Sequence, residues 1–119
     1  MANLLDACER NLTEVAKSLL QEEGVEIDAR DETLQRTPLH YACRSGHMEL
    51  AMALVDRGAD VDARNVDQWT PLHRACINGH MELAMALVDR GADVEAGDDN
   101  QSTPLHLSLI HISEPTRPY

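Results

Sequence analysis

The stretch Gly46-His47-Met48-Glu49-Leu50-Ala51-Met52-Ala53-Leu54-Val55-Asp56-Arg57-Gly58-Ala59-Asp60-Val61 recurs letter for letter at residues 79–94. Ahead of each copy stands Thr-Pro-Leu-His, at 37–40 and at 70–73, and the same four residues return at 103–106, so both spacings are 33 residues. Aligning 37–63 with 70–96 leaves 23 of 27 positions identical. Duplication at that fidelity makes the period the first fact about the fold, because a fixed period of roughly 20–50 residues is the mark of a repeat architecture.

Each unit reads as two short helices. Thr37 and Thr70 stand where an N-cap is wanted, and Pro38 and Pro71 follow at the first helical position, where a missing N–H is harmless. Leu39, Ala42 and Cys43 then fall at i, i+3 and i+4, the spacing of one helical face. Gly46-His47 breaks that helix, and a second one follows with Leu50, Leu54 and Val55 on its buried stripe. Gly58 and Gly91 are placed to end the second helices in a left-handed conformation. Two helices this short cannot bury their own apolar sides, so the units must stack on one another.

These segments, Thr-Pro-Leu-His-x-Ala-Cys, Gly-His and Arg-Gly-Ala-Asp-Val, closely resemble the ankyrin repeat, and the resemblance covers roughly residues 4–106. It implies an all-α solenoid of stacked antiparallel helix pairs, with β-hairpin-like loops projecting between units and a concave binding face. It also implies that His40, His73 and His106 hydrogen-bond around the helix start and tie neighbouring units together.

The expected organisation is a cap-like first repeat at 1–30, repeats at 31–64 and 65–97, and the opening of another at 98–106. In the first unit Leu4, Leu5, Ala7 and Cys8 serve the inner helix, and Val15, Leu19 and Leu20 the outer one. Two departures stand out. An extra residue lies near Thr33-Leu34. The loop position that many ankyrin repeats give to Gly holds Gln35, Gln68 and Gln101. A side chain in a left-handed turn costs on the order of 1 kcal/mol, so these loops are expected to use another turn type.

Beyond His106 the pattern stops. Leu107 to Arg117 resembles the translation of a transposase sequencing adapter, so residues 107–119 are expected to be a non-native tail on a truncated chain. The alternative is a divergent C-terminal cap, with Leu107, Leu109 and Ile110 covering the last interface. A truncated solenoid would end on an uncovered apolar face and self-associate through it.

Composition narrows the function. The chain has 119 residues, with 21 acidic and 10 basic ones for a net charge of −11, and aromatic residues make up only 3%. Such a surface repels nucleic acid and anionic membranes and favours a basic or neutral protein partner. Equally, the acidic excess serves solubility. No apolar run approaches the roughly 18 residues needed to span a bilayer. Three cysteines without a CxxC pair or a signal peptide point to reduced thiols in the cytoplasm or nucleus.

Catalytic and metal readings fare poorly. Cys8, Cys43 and Cys76 occupy equivalent places in successive units, hence about 10 Å apart, too far for a disulfide or one zinc. The histidine series at a 33-residue period has no matching nucleophile or paired carboxylate. His47 and His80 read as structural, and histidine protonation near pH 6 is expected to loosen the stack. No phosphate loop, nucleophile elbow or HExxH is present, so no catalytic residue, metal or cofactor is expected.

The near-identical units differ at Tyr41/Arg74, Arg44/Ile77, Ser45/Asn78 and Asp62/Glu95. The first three pairs belong to the inner helix, on the side away from Leu39 and Leu72, which in the ankyrin architecture lines the groove. Trp69, the one Trp, lies in a loop. The expected partner-contact set is therefore Trp69, Tyr41, Arg74, Arg44 and Ile77, with Asn78, Ser45 and Val66 around it. Alanine at Trp69 or Arg74 should then cost binding and little stability. The alternative is drift at unconstrained surface positions, with Trp69 covering its neighbouring loop. The functional expectation is a protein–protein interaction scaffold or adaptor. The competing one is a regulatory or substrate-recruiting segment of a larger protein such as an enzyme or channel.

Overall fold

The computed structural model describes residues 3–22, 24–98 and 101–104. Six helices run in order: α1 (Leu4–Glu9), α2 (Thr13–Leu19), α3 (Pro38–Ser45), α4 (Met48–Asp56), α5 (Pro71–Ile77) and α6 (Met81–Asp89). They pack in pairs, α1 on α2, α3 on α4 and α5 on α6, while α1, α3 and α5 form one row and α2, α4 and α6 a second. This is the stacked-pair solenoid that the 33-residue period demands.

Local chemistry explains the helix starts. Thr37 and Thr70 are extended N-caps whose side chains accept from the His40 and His73 amides, with Pro at the first helical position. The first unit lacks that motif, and Asn3 takes over, its side chain accepting from the Asp6 amide at 2.7 Å. Gly58 and Gly91 follow the second helices at φ +97° and +99°, the left-handed stop their positions suggest.

Leu39 and Leu72 are 1% and 2% exposed, and Ala42, Cys43, Ala75 and Cys76 share their buried face. In the outer row the buried stripe is Leu50, Ala51 and Leu54, repeated as Leu83, Ala84 and Leu87. Val55 is only half-buried. In the first unit Val15 is exposed, and Ala16 and Leu20 fill the interface in its place. A seven-residue helix directs only one narrow stripe inward, and Ala16 lies closer to its centre than Val15.

The loops between units contain no strand among the described residues. A backbone bond closes each, Asp31 N–H to Arg36 O, Asn65 N–H to Trp69 O and Asp98 N–H to Ser102 O, all 3.0 Å. In the last two the Gln68 and Gln101 amides add bonds to the Asn65 and Asp98 carbonyls at 2.9 Å. Their turns keep the left-handed conformation despite the missing Gly, with Gln35, Gln68 and Gln101 at φ +62°, +66° and +65°. The expectation of another turn type is thereby corrected. The proposed tail at 107–119 and the third motif beyond Pro104 lie outside the described residues.

Candidate functional site

Cys8, Cys43 and Cys76 fix the register along the α1–α3–α5 row. Asp6, Tyr41 and Arg74 occupy one level, Glu9, Arg44 and Ile77 the next, and Arg10, Ser45 and Asn78 the last. Arg44, Ser45, Arg74, Ile77 and Trp69 are half-buried, while Asn78 and Val66 are exposed. Tyr41 departs from the expected set: at 1% exposure it belongs to the core and presents no face to a partner. Its ring is covered by the guanidinium groups of Arg36, from the preceding loop, and Arg44, one turn further along its own helix.

Arg36 and Arg44 place their guanidinium carbons 4.8 and 5.0 Å from the Tyr41 ring centroid. The Tyr41 hydroxyl donates to the Asp31 carboxylate, and Arg36 donates to the same oxygen at 2.9 Å. Burial, and then this bond to Asp31, push the Tyr41 hydroxyl pKa up. Burial alone would raise the pKa of Asp31. Bonds from Tyr41, the Arg36 and Leu34 amides and the Arg36 guanidinium outweigh it and hold the carboxyl well below the usual range.

Trp69 is built into the next unit as well as its own. Its ring stacks on His73 at 5.9 Å between centroids, and its Nε1–H donates to the Asp98 carboxylate at 2.8 Å. The Arg74 guanidinium carbon lies over the Trp69 ring, 5.0 Å from its centroid. This geometry argues against the expectation that alanine at Trp69 costs little stability.

The loop geometry depends on residues the sequence reading passed over. Asp31 Oδ1 accepts from the Leu34 and Arg36 amides, Asn65 Oδ1 from Asp67 and Trp69, and Asp98 Oδ1 from Ser102. Arg30 Nη1 donates to the Gln35 and Arg64 carbonyls, and Arg64 Nη1 repeats the pattern on Gln68 and Gly97. The Asx side chain braces each turn, and in the first two an arginine Nη1 holds it from the other side, which supports Gln at a left-handed position. The signal was legible: Asp or Asn stands one residue after Arg30, Arg64 and Gly97 each time.

The histidines link units as the resemblance implies. His40 Nδ1 accepts from the Thr37 amide at 3.0 Å, so Nε2 carries the hydrogen and donates to the Trp69 carbonyl at 2.9 Å. His73 repeats this with Thr70 and the Ser102 carbonyl. His47 reaches Asn11 Oδ1 at 2.6 Å, and His80 reaches the Arg44 carbonyl at 3.1 Å. Burial pushes the His40 pKa down to about 4, and it lowers that of His73 as well. Protonation of folded His40 therefore falls well below the expected pH 6.

Cys8, Cys43 and Cys76 are buried free thiols. Burial pushes Cys8 up to about 12 and raises the other two, so all three remain unreactive thiols. Among the described residues no three His, Cys, Asp or Glu side chains form a group able to hold a metal. No helix there is long and apolar enough to cross a membrane.

Known proteins align with this arrangement. A family model described as ankyrin repeats (3 copies) matches residues 4–98 and, in an overlapping second placement, 58–114. Ankyrin repeat domain-containing protein 49 of Homo sapiens is 42% identical over 63 residues, 53% of this chain and 26% of that protein. Protein phosphatase 1 regulatory subunit 27 of Mus musculus is 49% identical over 49 residues, 41% of this chain and 31% of that protein. The ankyrin repeat and KH domain-containing protein mask of Drosophila melanogaster is 36% identical over 56 residues, 47% of this chain and 1% of that protein. The chain spans about a quarter of the length of the first of these relatives.

Proposed function

Because the chain belongs to the ankyrin-repeat family, we propose that it is a protein-interaction scaffold or adaptor holding a partner along the α1–α3–α5 row and the adjoining loops. One observation carries this reading. Two units that are otherwise nearly copies diverge at 44/77 and 45/78 on one edge of α3 and α5, where the side chains reach solvent. Fold maintenance explains identity at the buried positions, and it gives no reason for change to collect on this edge. Arg44, Ser45, Arg74, Ile77, Asn78, Val66 and the open part of Trp69 form the contact set, with Tyr41 supporting Arg44 from beneath.

A second reading has support from the resemblance to a phosphatase regulatory subunit and from the short share of each relative that the chain covers. In it the same edge recruits or regulates within a larger protein. Reduced cysteines fit a cytoplasmic or nuclear setting for either. Met85, Val88 and Val94 are exposed on α6 and the loop after it, and there a further unit or a second copy would stack.

Photo-crosslinking side chains placed at residues 44 and 78, compared with 49 and 82 on the outer helices, test the proposal in the cell of origin. The expected outcome is one partner captured from both inner positions and from neither outer position. Capture from the outer row alone would overturn the assignment of the binding face.

A further inference from the structure

We infer that the edge of α3 and α5 bearing Arg44 and Arg74 docks an acidic segment of the partner, a short extended peptide with Asp or Glu side chains clustered at one end. This inference deepens the proposed function and rests on it. The chain as a whole carries −11, so its net charge favours basic or neutral partners. At this edge the local sign is reversed.

Three guanidinium groups converge there. Arg36 and Arg44 share the Tyr41 ring, and Arg74 occupies Tyr41's level on the adjacent helix, over Trp69. Arg36 is neutralised by Asp31 at 2.9 Å. Arg44 and Arg74 enter no ion pair among the described residues. After burial itself, the charges of Arg44 and Arg36 are what lower the Arg74 pKa, so the groups repel one another in the unliganded chain. A carboxylate placed between them relieves that repulsion and accepts a planar, two-pronged donor. The Tyr41 and Trp69 rings hold both forks in place before a ligand arrives, which lowers the entropy lost on binding.

The neighbouring residues set the ligand's extent. Ile77, at Arg44's level, offers an apolar contact, and exposed Asn78 a polar one. Along the row toward α1 the same levels hold Asp6 and Glu9, with Asp6 paired to Arg10 at 3.3 Å. With Asp6 offset by Arg10, the sign of the edge changes from basic on α3 and α5 to acidic at Glu9 on α1. An evenly charged polyanion meets repulsion at that boundary. A peptide acidic at one end and neutral or basic at the other fits it in one direction only.

The test is selection of displayed random peptides on the intact chain, followed by fluorescence anisotropy of the enriched sequences. Acidic peptides should dominate, and Arg44→Gln or Arg74→Gln should each weaken them roughly tenfold, as loss of a charge-assisted contact does. Arg44→Lys should retain part of the affinity, and Arg57→Gln on the end of α4 should change nothing. Thermal melts of each variant separate lost binding from lost fold. Peptides that compete at residue 78 without acidic bias would sink the charge assignment and leave the interaction reading standing. Peptides indifferent to substitutions at 44, 74 and 78, or no enrichment at all, would remove both. An oligonucleotide that binds more tightly than the acidic peptides would replace the peptide with a phosphate backbone and overturn the proposal.

Discussion

His40 Nε2 donates to the carbonyl oxygen of Trp69 at 2.9 Å, so an imidazole at the start of α3 holds the last loop residue before α5. The ring must be neutral to make both of its bonds, because Nδ1 accepts from the Thr37 amide while Nε2 donates. Burial lowers the His40 pKa to about 4. The unfolded chain, titrating near 6.5, binds the proton first as pH falls. Stability is therefore full above about pH 6.5 and declines as pH drops toward 4, by on the order of 1 kcal/mol per pH unit for this group. His73, shifted in the same direction, adds to the slope. Asp31, whose pKa is also depressed, contributes in the same sense but at lower pH, its share being lost only below its ordinary range near 4. Urea titrations from pH 7.5 to 4.5 should show the decline, and His40→Gln should flatten it. A level profile in the parent protein would contradict the link.

Gln35, Gln68 and Gln101 hold left-handed turns that glycine adopts without strain. Gln68→Gly should raise stability by roughly 0.5 kcal/mol, the strain relieved being partly offset by the freer unfolded chain. Asn65→Ala should lower it by about 1–2 kcal/mol, because the Asp67 and Trp69 amides lose their shared acceptor. Denaturant midpoints of the two variants must move in opposite directions. Movement the same way would show that the Asx side chain is not what imposes the turn.

Gly46 makes a close approach as well as a left-handed one. A Cβ there would lie 2.6 Å from Cε1 of His80, whose Nε2 is bonded to the Arg44 carbonyl. Gly58 has open space at the same point. Both substitutions to Ala carry backbone strain of about 1 kcal/mol, and only Gly46→Ala also displaces a ring. In a double-mutant cycle, His80→Ala should recover roughly 0.5–1 kcal/mol of the Gly46→Ala loss and none of the Gly58→Ala loss. Additive behaviour at residue 46 would dismiss the steric contact.

Much of this was legible in the sequence. The period, the Thr-Pro helix starts and the buried Leu39 and Leu72 follow from local spacing, because cap chemistry and helical periodicity act over a few residues. The first unit was read less well: without a Thr-Pro anchor, Val15 and Ala16 could not be assigned to opposite sides of α2. Tyr41 was misplaced for a different reason. Its burial depends on Arg36 and Asp31 in the preceding loop, a tertiary relationship that helix position alone does not encode. Equally, the charge of the whole chain hid the opposite local sign at Arg44 and Arg74, since a sum over residues carries no geometry.

Trp69 is where structural and binding roles meet, and its substitutions separate them. Asp98 is 7% exposed, and its carboxylate receives the indole Nε1–H at 2.8 Å. Trp69→Phe keeps an aromatic ring against His73 and beneath Arg74 while removing that donor. A charge-assisted hydrogen bond at a largely buried carboxylate is worth roughly 1.5–3 kcal/mol, so Phe should destabilise by about that amount. Trp69→Ala also strips the stacking surface, and the loss should reach roughly 3–4 kcal/mol, discounted from a core value because the indole is half-exposed. Asp98→Asn keeps the shape of the acceptor, and in that background Trp69→Phe should be milder. Urea denaturation of the four proteins checks the order. If Trp69→Phe and Trp69→Ala both melt with the parent protein, the indole contributes nothing to the stack, and its place on the proposed docking edge becomes its whole role.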